Sequence, residues 1–119
     1  MFLDKLSRIS ERVEGVRALA LVDRDGISVE SVSSDPDLDL ELLAAELVTQ
    51  ARAMSDHNRE LDIGDVQQFS ITTDRAVLMM STIEGGYFLL LVLEPDGNYG
   101  RARFELRRAR LSLEDDLVD

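Results

Sequence analysis

The sequence has 119 residues, 45% of them hydrophobic and 31% charged, with a formal net charge of -11. That length supports one core of ordinary domain size, about 100 to 150 residues, and the charge disfavours polyanions, so neither nucleic acid nor an anionic membrane surface is expected as a global partner. No cysteine is present, which excludes a disulfide framework, a thiolate metal site and a cysteine nucleophile. No apolar run approaches the ~20 residues of a membrane span, and Met1-Phe2-Leu3-Asp4-Lys5 lacks the pattern of a secretory signal. A cytoplasmic location without direct membrane insertion is the expectation.

In chain order, Phe2 or Leu3, Leu6, Ile9 and Val13 recur at three- and four-residue steps, an apolar stripe on a first helix that ends before Gly15. Val16 to Asp23 is a mostly apolar run. Arg24-Asp25-Gly26 supplies a turn, and Ile27 to Ser33 returns as the second strand of a β-hairpin. Its alternation of Ile27 and Val29 with Ser28 and Glu30 marks a strand with one wet face or an edge position. Ser34-Asp35-Pro36-Asp37 breaks the strand and puts acidic residues at the start of a long second helix, which runs to about Leu61. A meander follows: Val66 to Thr72, a turn at Thr73-Asp74, Arg75 to Ile83, a tight turn at Glu84-Gly85-Gly86, and Tyr87 to Leu93. After Glu94-Pro95-Asp96-Gly97-Asn98, the residues Tyr99, Ala102, Leu106, Ala109 and Leu113 give the stripe of a final helix.

The run Tyr87-Phe88-Leu89-Leu90-Leu91-Val92-Leu93 has no polar alternation, so both faces of this strand should be covered. Val16 to Val22 is nearly as apolar. Joining the two hairpin units through these interior strands gives the order 2-1-5-4-3, with the more polar strands at the edges. The expected fold is α/β (α+β): one domain over 1–119, a five-stranded antiparallel sheet with the long helix on one face and two helices on the other.

The element order, with Ala20-Leu21-Val22-Asp23-Arg24-Asp25-Gly26 early and Gly86-Tyr87-Phe88-Leu89-Leu90-Leu91-Val92-Leu93 late, resembles the roadblock family of dynein light chains and bacterial gliding regulators of the MglB type. Asn98-Tyr99-Gly100-Arg101-Ala102-Arg103-Phe104-Glu105-Leu106-Arg107-Arg108-Ala109 resembles the third helix of its prokaryotic members. The likeness covers nearly the whole chain and carries a roadblock/profilin-like fold. It implies a homodimer built by pairing third strands and packing second helices, with a Ras-like, MglA-like small GTPase bound on the composite surface.

Two features of the residues agree with that implication. The third strand, including Gln68, Phe69, Ser70 and Ile71, has no lysine or proline to block strand addition. On the long helix, Leu40, Leu43, Ala44, Leu47, Val48, Ala51 and Met54 share the face expected to meet the sheet. Leu42, Ala45, Thr49 and Ala53 fall on the opposite side, with Glu41, Glu46, Gln50 and Arg52 as a polar surround.

No catalytic constellation is legible. The chain has no Gly-x-x-x-x-Gly-Lys-Ser/Thr phosphate cradle, so a partner must hold any GTP. His57 is the only histidine and has no assignable serine or carboxylate partners. Asp35, Asp37, Asp39 and Glu46 imitate a calcium-loop spacing but put Leu40 where glycine is needed. Arg24 and Arg52 are the geometric candidates for an arginine inserted into a GTPase. The resemblance implies instead a regulator that aligns the GTPase's own groups, so no catalytic residue, cofactor or metal is expected. Arg101, Arg103, Arg107, Arg108 and Arg110 read as a solvated helix face. The functional expectation is a non-enzymatic adaptor that regulates or positions a small GTPase. The alternatives are a scaffold without effect on turnover and a small-molecule sensor.

Overall fold

A computed structural model describes residues 2–83 and 85–117. The elements are α1 (Phe2–Arg12), β1 (Val16–Val22), β2 (Ser28–Ser33), α2 (Leu40–Glu60), β3 (Gln68–Thr72), β4 (Val77–Ile83), β5 (Tyr87–Leu93) and α3 (Tyr99–Leu117). The strands form one antiparallel sheet in the order β2-β1-β5-β4-β3, as expected from the two apolar runs.

The two-residue period of the central strands divides the core. Leu19, Leu21, Met79, Leu89, Leu91 and Leu93 point to one face, where Leu6, Ile9 and Val13 of the α1 segment meet Ala102, Leu106 and Leu113 of α3. Ala20, Val22, Met80, Phe88 and Leu90 point to the other, against Ala44, Leu47, Val48 and Ala51 of α2. Each fully buried leucine contributes about 1.5 to 3 kcal/mol through removal from water, so β5, buried along nearly its whole length, anchors both layers.

The α1 and α3 helices lie side by side because the loops leading into β1 and out of β5 touch. A Cβ built on Gly15 would stand 2.6 Å from Gly97 Cα, so the crossing admits no side chain there. Backbone bonds hold the crossing, from Glu94 N–H to Gly15 O at 2.8 Å and from Asn98 N–H to Glu14 O at 3.0 Å.

Three local expectations are corrected. The acid at the start of α2 is Asp39, the N-cap, whose carboxylate accepts from Leu42 N–H at 3.0 Å, and not Asp35 or Asp37 of the preceding break. Asp35 is held away by Arg17. β3 starts at Gln68, since Val66 and Gln67 use their carbonyls to accept from the Thr82 hydroxyl, each at 3.1 Å. β2 is an edge strand that starts at Ser28 rather than at Ile27; Ile27 before it is 63% exposed and Val29 within it 44%, while Val32 packs on the α1/α3 core. A register shift opposite Leu21/Val22 accompanies this arrangement.

Candidate functional site

The α2 layer consists of one helix over five strands. Strands spaced about 4.8 Å apart make a sheet roughly 20 Å wide, whereas one helix covers about 10 to 12 Å. The margins of this face are therefore uncovered. Ile27 and Val29 stand beyond α2 on the β2 side, and Ile71, 38% exposed, stands on the β3 side. Sequence reasoning missed Ile27 and Val29. The signal was present in the single long helix, whose width is too small for the sheet.

On α2, Ala44, Leu47, Val48 and Ala51 are buried, with Leu40, Leu43 and Met54 half-buried along the flanks. The opposite side carries Leu42, 59% exposed, and the exposed residues Ala45, Glu46, Thr49, Arg52 and Ala53. Thr49 donates its hydroxyl to Ala45 O at 2.9 Å, which turns its methyl outward as part of the same small-residue surface. Ala45 is not wholly free, because the turn ending β1 rests on it. A Cβ on Gly26, whose φ is +84°, would come within 3.1 Å of Ala45 Cα.

β3 pairs only with β4, so its other edge has no strand partner among the described residues. Phe69 is half-buried against the α2 core, Gln68 is half-buried, and Ser70 and Ile71 are exposed. The Ser70 and Tyr99 hydroxyls lie 3.0 Å apart, tying this edge to the first turn of α3.

The loop into α2 is set by electrostatics. The Asp35 carboxylate binds Arg17, and Arg17 Nε lies 3.4 Å from Glu94. The Arg17 bond, then the Asp37 backbone N–H, hold the Asp35 carboxyl below the usual carboxylate range. The bond to Asp35 likewise raises Arg17. Of the two candidate inserted arginines, Arg24 lies over the β4–β5 turn, with Nη2 3.4 Å from Gly85 O. Arg52 lines an open groove of about 490 Å³ with Ser55, Asp56, Arg59, Asp65 and Tyr87. His57 is exposed near the end of α2. Among the described residues no cluster of three or more His, Asp or Glu is arranged to hold a metal, and none of their helices is long and apolar enough to cross a membrane. The site therefore offers contact surfaces: an exposed helix face and an open strand edge.

The Roadblock/LC7 domain model matches residues 3–94. Among solved structures, a Roadblock/LC7 domain from Streptomyces avermitilis superposes with a TM-score of 0.88 at 21% identity, covering 98% of each chain. Myxococcus xanthus MglC is 31% identical over 98% of each chain, with a TM-score of 0.72. Myxococcus xanthus MglB has a TM-score of 0.86 at 16% identity, covering 95% of this chain and 91% of its own. No curated protein matches the chain by sequence. The family model spans most of the chain and the sheet order agrees with the fold it describes, so this protein belongs to the Roadblock/LC7 domain family.

Proposed function

We propose that the protein is a non-enzymatic homodimeric adaptor acting in the cytoplasm. Two copies join through their β3 edges and outward α2 faces, and the paired helices bind a Ras-like, MglA-like small GTPase. The dimer regulates the partner's GTP turnover or positions the partner, and supplies no catalytic residue.

The observation that carries this reading is the exposed face of α2, where Leu42, Ala45, Thr49 and Ala53 form a narrow apolar and small-residue stripe bordered by Glu46 and Arg52. Small side chains permit close approach of a second backbone, and the charged border suits an interface rim. Similarity to MglB and MglC is consistent with such a partner. A small-molecule sensor is less well supported, because the groove beside Arg52, lined by Val66, Ile83 and Phe88 as well as by charged groups, is open rather than enclosed.

The decisive experiment has two readings. Light scattering after size exclusion gives the mass of the wild type and of Leu42→Arg. Single-turnover GTP hydrolysis by a small GTPase from the same source is then followed with and without the wild-type protein. A dimer that changes turnover supports the regulator. A dimer that binds the GTPase without changing turnover identifies a scaffold, and a monomer that ignores the GTPase overturns the proposal.

A further inference from the structure

Charge in this protein is segregated by layer. Eight of the 13 Lys and Arg residues lie on α1 or α3. Up to Leu113 these two helices carry only three acids, Asp4, Glu11 and Glu105, whereas the chain has 24. Glu105 is 1% exposed and internally compensated: Arg12 lies 3.6 Å, Arg101 2.9 Å and Arg108 3.8 Å from its carboxylate oxygens. From Phe2 to Leu113 the outer surface of the helix pair thus carries more cations than acids, and Glu114, Asp115 and Asp116 follow in the sequence.

The ridge of α3 adds an independent observation. Ala102, Leu106, Ala109 and Leu113 face the sheet, so at 100° per residue the outermost positions are Phe104 and Leu111. Phe104 is 52% and Leu111 66% exposed. Seven residues separate them, so they align along the ridge, with Arg107 and Arg108 between them and Arg101 lying 5.3 Å from the Phe104 ring centroid. A helix face serving only solubility has no use for two large apolar groups at its most exposed line. Apolar side chains projecting from a field of arginines are the pattern of a surface that enters the headgroup region of an anionic bilayer.

We infer that the α1/α3 face is a peripheral docking surface for anionic lipid, with the arginines on the headgroups and Phe104 and Leu111 at the acyl boundary. The net charge of -11 does not prevent this. The sheet lies between the α1/α3 layer and α2, and layers pack about 10 Å apart, so the acidic α2 side lies well beyond the roughly 8 Å over which physiological salt screens charge. One consequence rests on the proposed dimer: edge-to-edge pairing of β3 keeps like layers together, so two cationic faces lie on one side and the paired α2 helices on the other. The adaptor then holds its GTPase at a membrane.

Flotation of the full-length protein with vesicles of phosphatidylcholine alone, or enriched in phosphatidylserine, tests this. Binding is expected only to the phosphatidylserine vesicles and should fall as salt rises. The double variant Arg103→Glu/Arg107→Glu, both residues being exposed and outside the Glu105 ring, should lose at least about tenfold in partitioning. Phe104→Ser should lower it while leaving the salt dependence. Arg24→Glu/Arg75→Glu, an equal double reversal at exposed residues outside both helices, should bind as wild type, as should Arg75→Glu alone, and circular dichroism checks that each variant is folded. No flotation with anionic vesicles, equal flotation with neutral ones, or equal losses in Arg103→Glu/Arg107→Glu and Arg24→Glu/Arg75→Glu overturns the inference. It is also overturned if Arg103→Glu/Arg107→Glu alters self-association without lipid while vesicles are ignored, since the face then docks the acidic side of a second copy. Leu42→Arg separates the two proposals: a monomeric variant that still floats, more weakly, leaves the lipid face standing, and a wild-type dimer that does not float leaves the GTPase adaptor standing.

Discussion

Gly26 rests on Ala45: the turn between β1 and β2 approaches α2 so closely that a Cβ on the glycine would stand 3.1 Å from the alanine Cα. The same glycine has a φ of +84°, in the region that costs an L-residue about 1 to 2 kcal/mol. Strain and contact act together, so Gly26→Ala is expected to lower stability by about 2 kcal/mol. Urea unfolding of the two proteins measures the difference. A loss below that of an ordinary surface substitution would mean that the turn does not brace α2.

The contact changes how the α2 face is best tested. Leu42→Arg puts a charge on a side chain already 59% exposed and should alter unfolding free energy by less than about 0.5 kcal/mol while abolishing assembly or GTPase capture. Ala45→Arg is expected to have the same effect on assembly. It also crowds the hairpin turn and should cost stability. Light scattering and pulldown read assembly, and thermal melting reads the fold. If Leu42→Arg assembles and captures the GTPase like the wild type, the proposed surface is wrong.

For the β3 edge, Phe69 is a poor probe because half of it is packed under α2. Ile71 is exposed and sits on the unpaired strand. Ile71→Lys adds the kind of charge that blocks strand addition and should yield a folded monomer. Analytical ultracentrifugation over a dilution series checks the mass.

Asp35 predicts an acid-dependent term. Its carboxyl is held below the usual range first by Arg17 and then by the Asp37 N–H. A group with a lowered folded-state pKa stabilises the fold above its unfolded value, and that contribution disappears as pH falls through the folded value. Asp35→Asn should therefore be less stable than wild type at neutral pH. The gap should close below about pH 4, where an unfolded aspartate protonates. Parallel urea titrations at neutral and acid pH give the comparison.

At Glu105, removing the acid and removing its partners should have unequal costs. Arg12, Arg101 and Arg108 are 41%, 44% and 57% exposed and return readily to water when Glu105→Gln deletes the charge, at a cost of about 1 kcal/mol. Arg12→Ala with Arg101→Ala and Arg108→Ala instead strands a carboxylate that is 1% exposed, with Oε1 lacking any aligned hydrogen bond, and should cost about 3 kcal/mol or more. Chemical denaturation of both variants tests the ordering.

Much of the architecture was legible in the chain. The unbroken run from Tyr87 to Leu93 marked the strand covered on both faces, the apolar run from Val16 marked its neighbour, and together they dictated the order β2-β1-β5-β4-β3. The outward stripe of α2 was equally legible, since a fixed 100° step separates Leu42 and Thr49 from Leu47 and Val48 without reference to anything outside the helix.

What periodicity does not carry is the distance between elements remote in sequence. Only the folded chain sets Asp35 on Arg17, leaving Asp39 to cap α2, or rests Gly26 on Ala45. Ile27 and Val29 have the alternation of a buried face, yet they are exposed because one helix is narrower than five strands. Charge follows the same division. The sequence by itself determined an acidic protein with its first and last helices on one face of the sheet, and only the tertiary structure decided that Arg12 of α1 joins Arg101 and Arg108 of α3 around Glu105, because the crossing at Gly15 and Gly97 lays those two distant helices side by side.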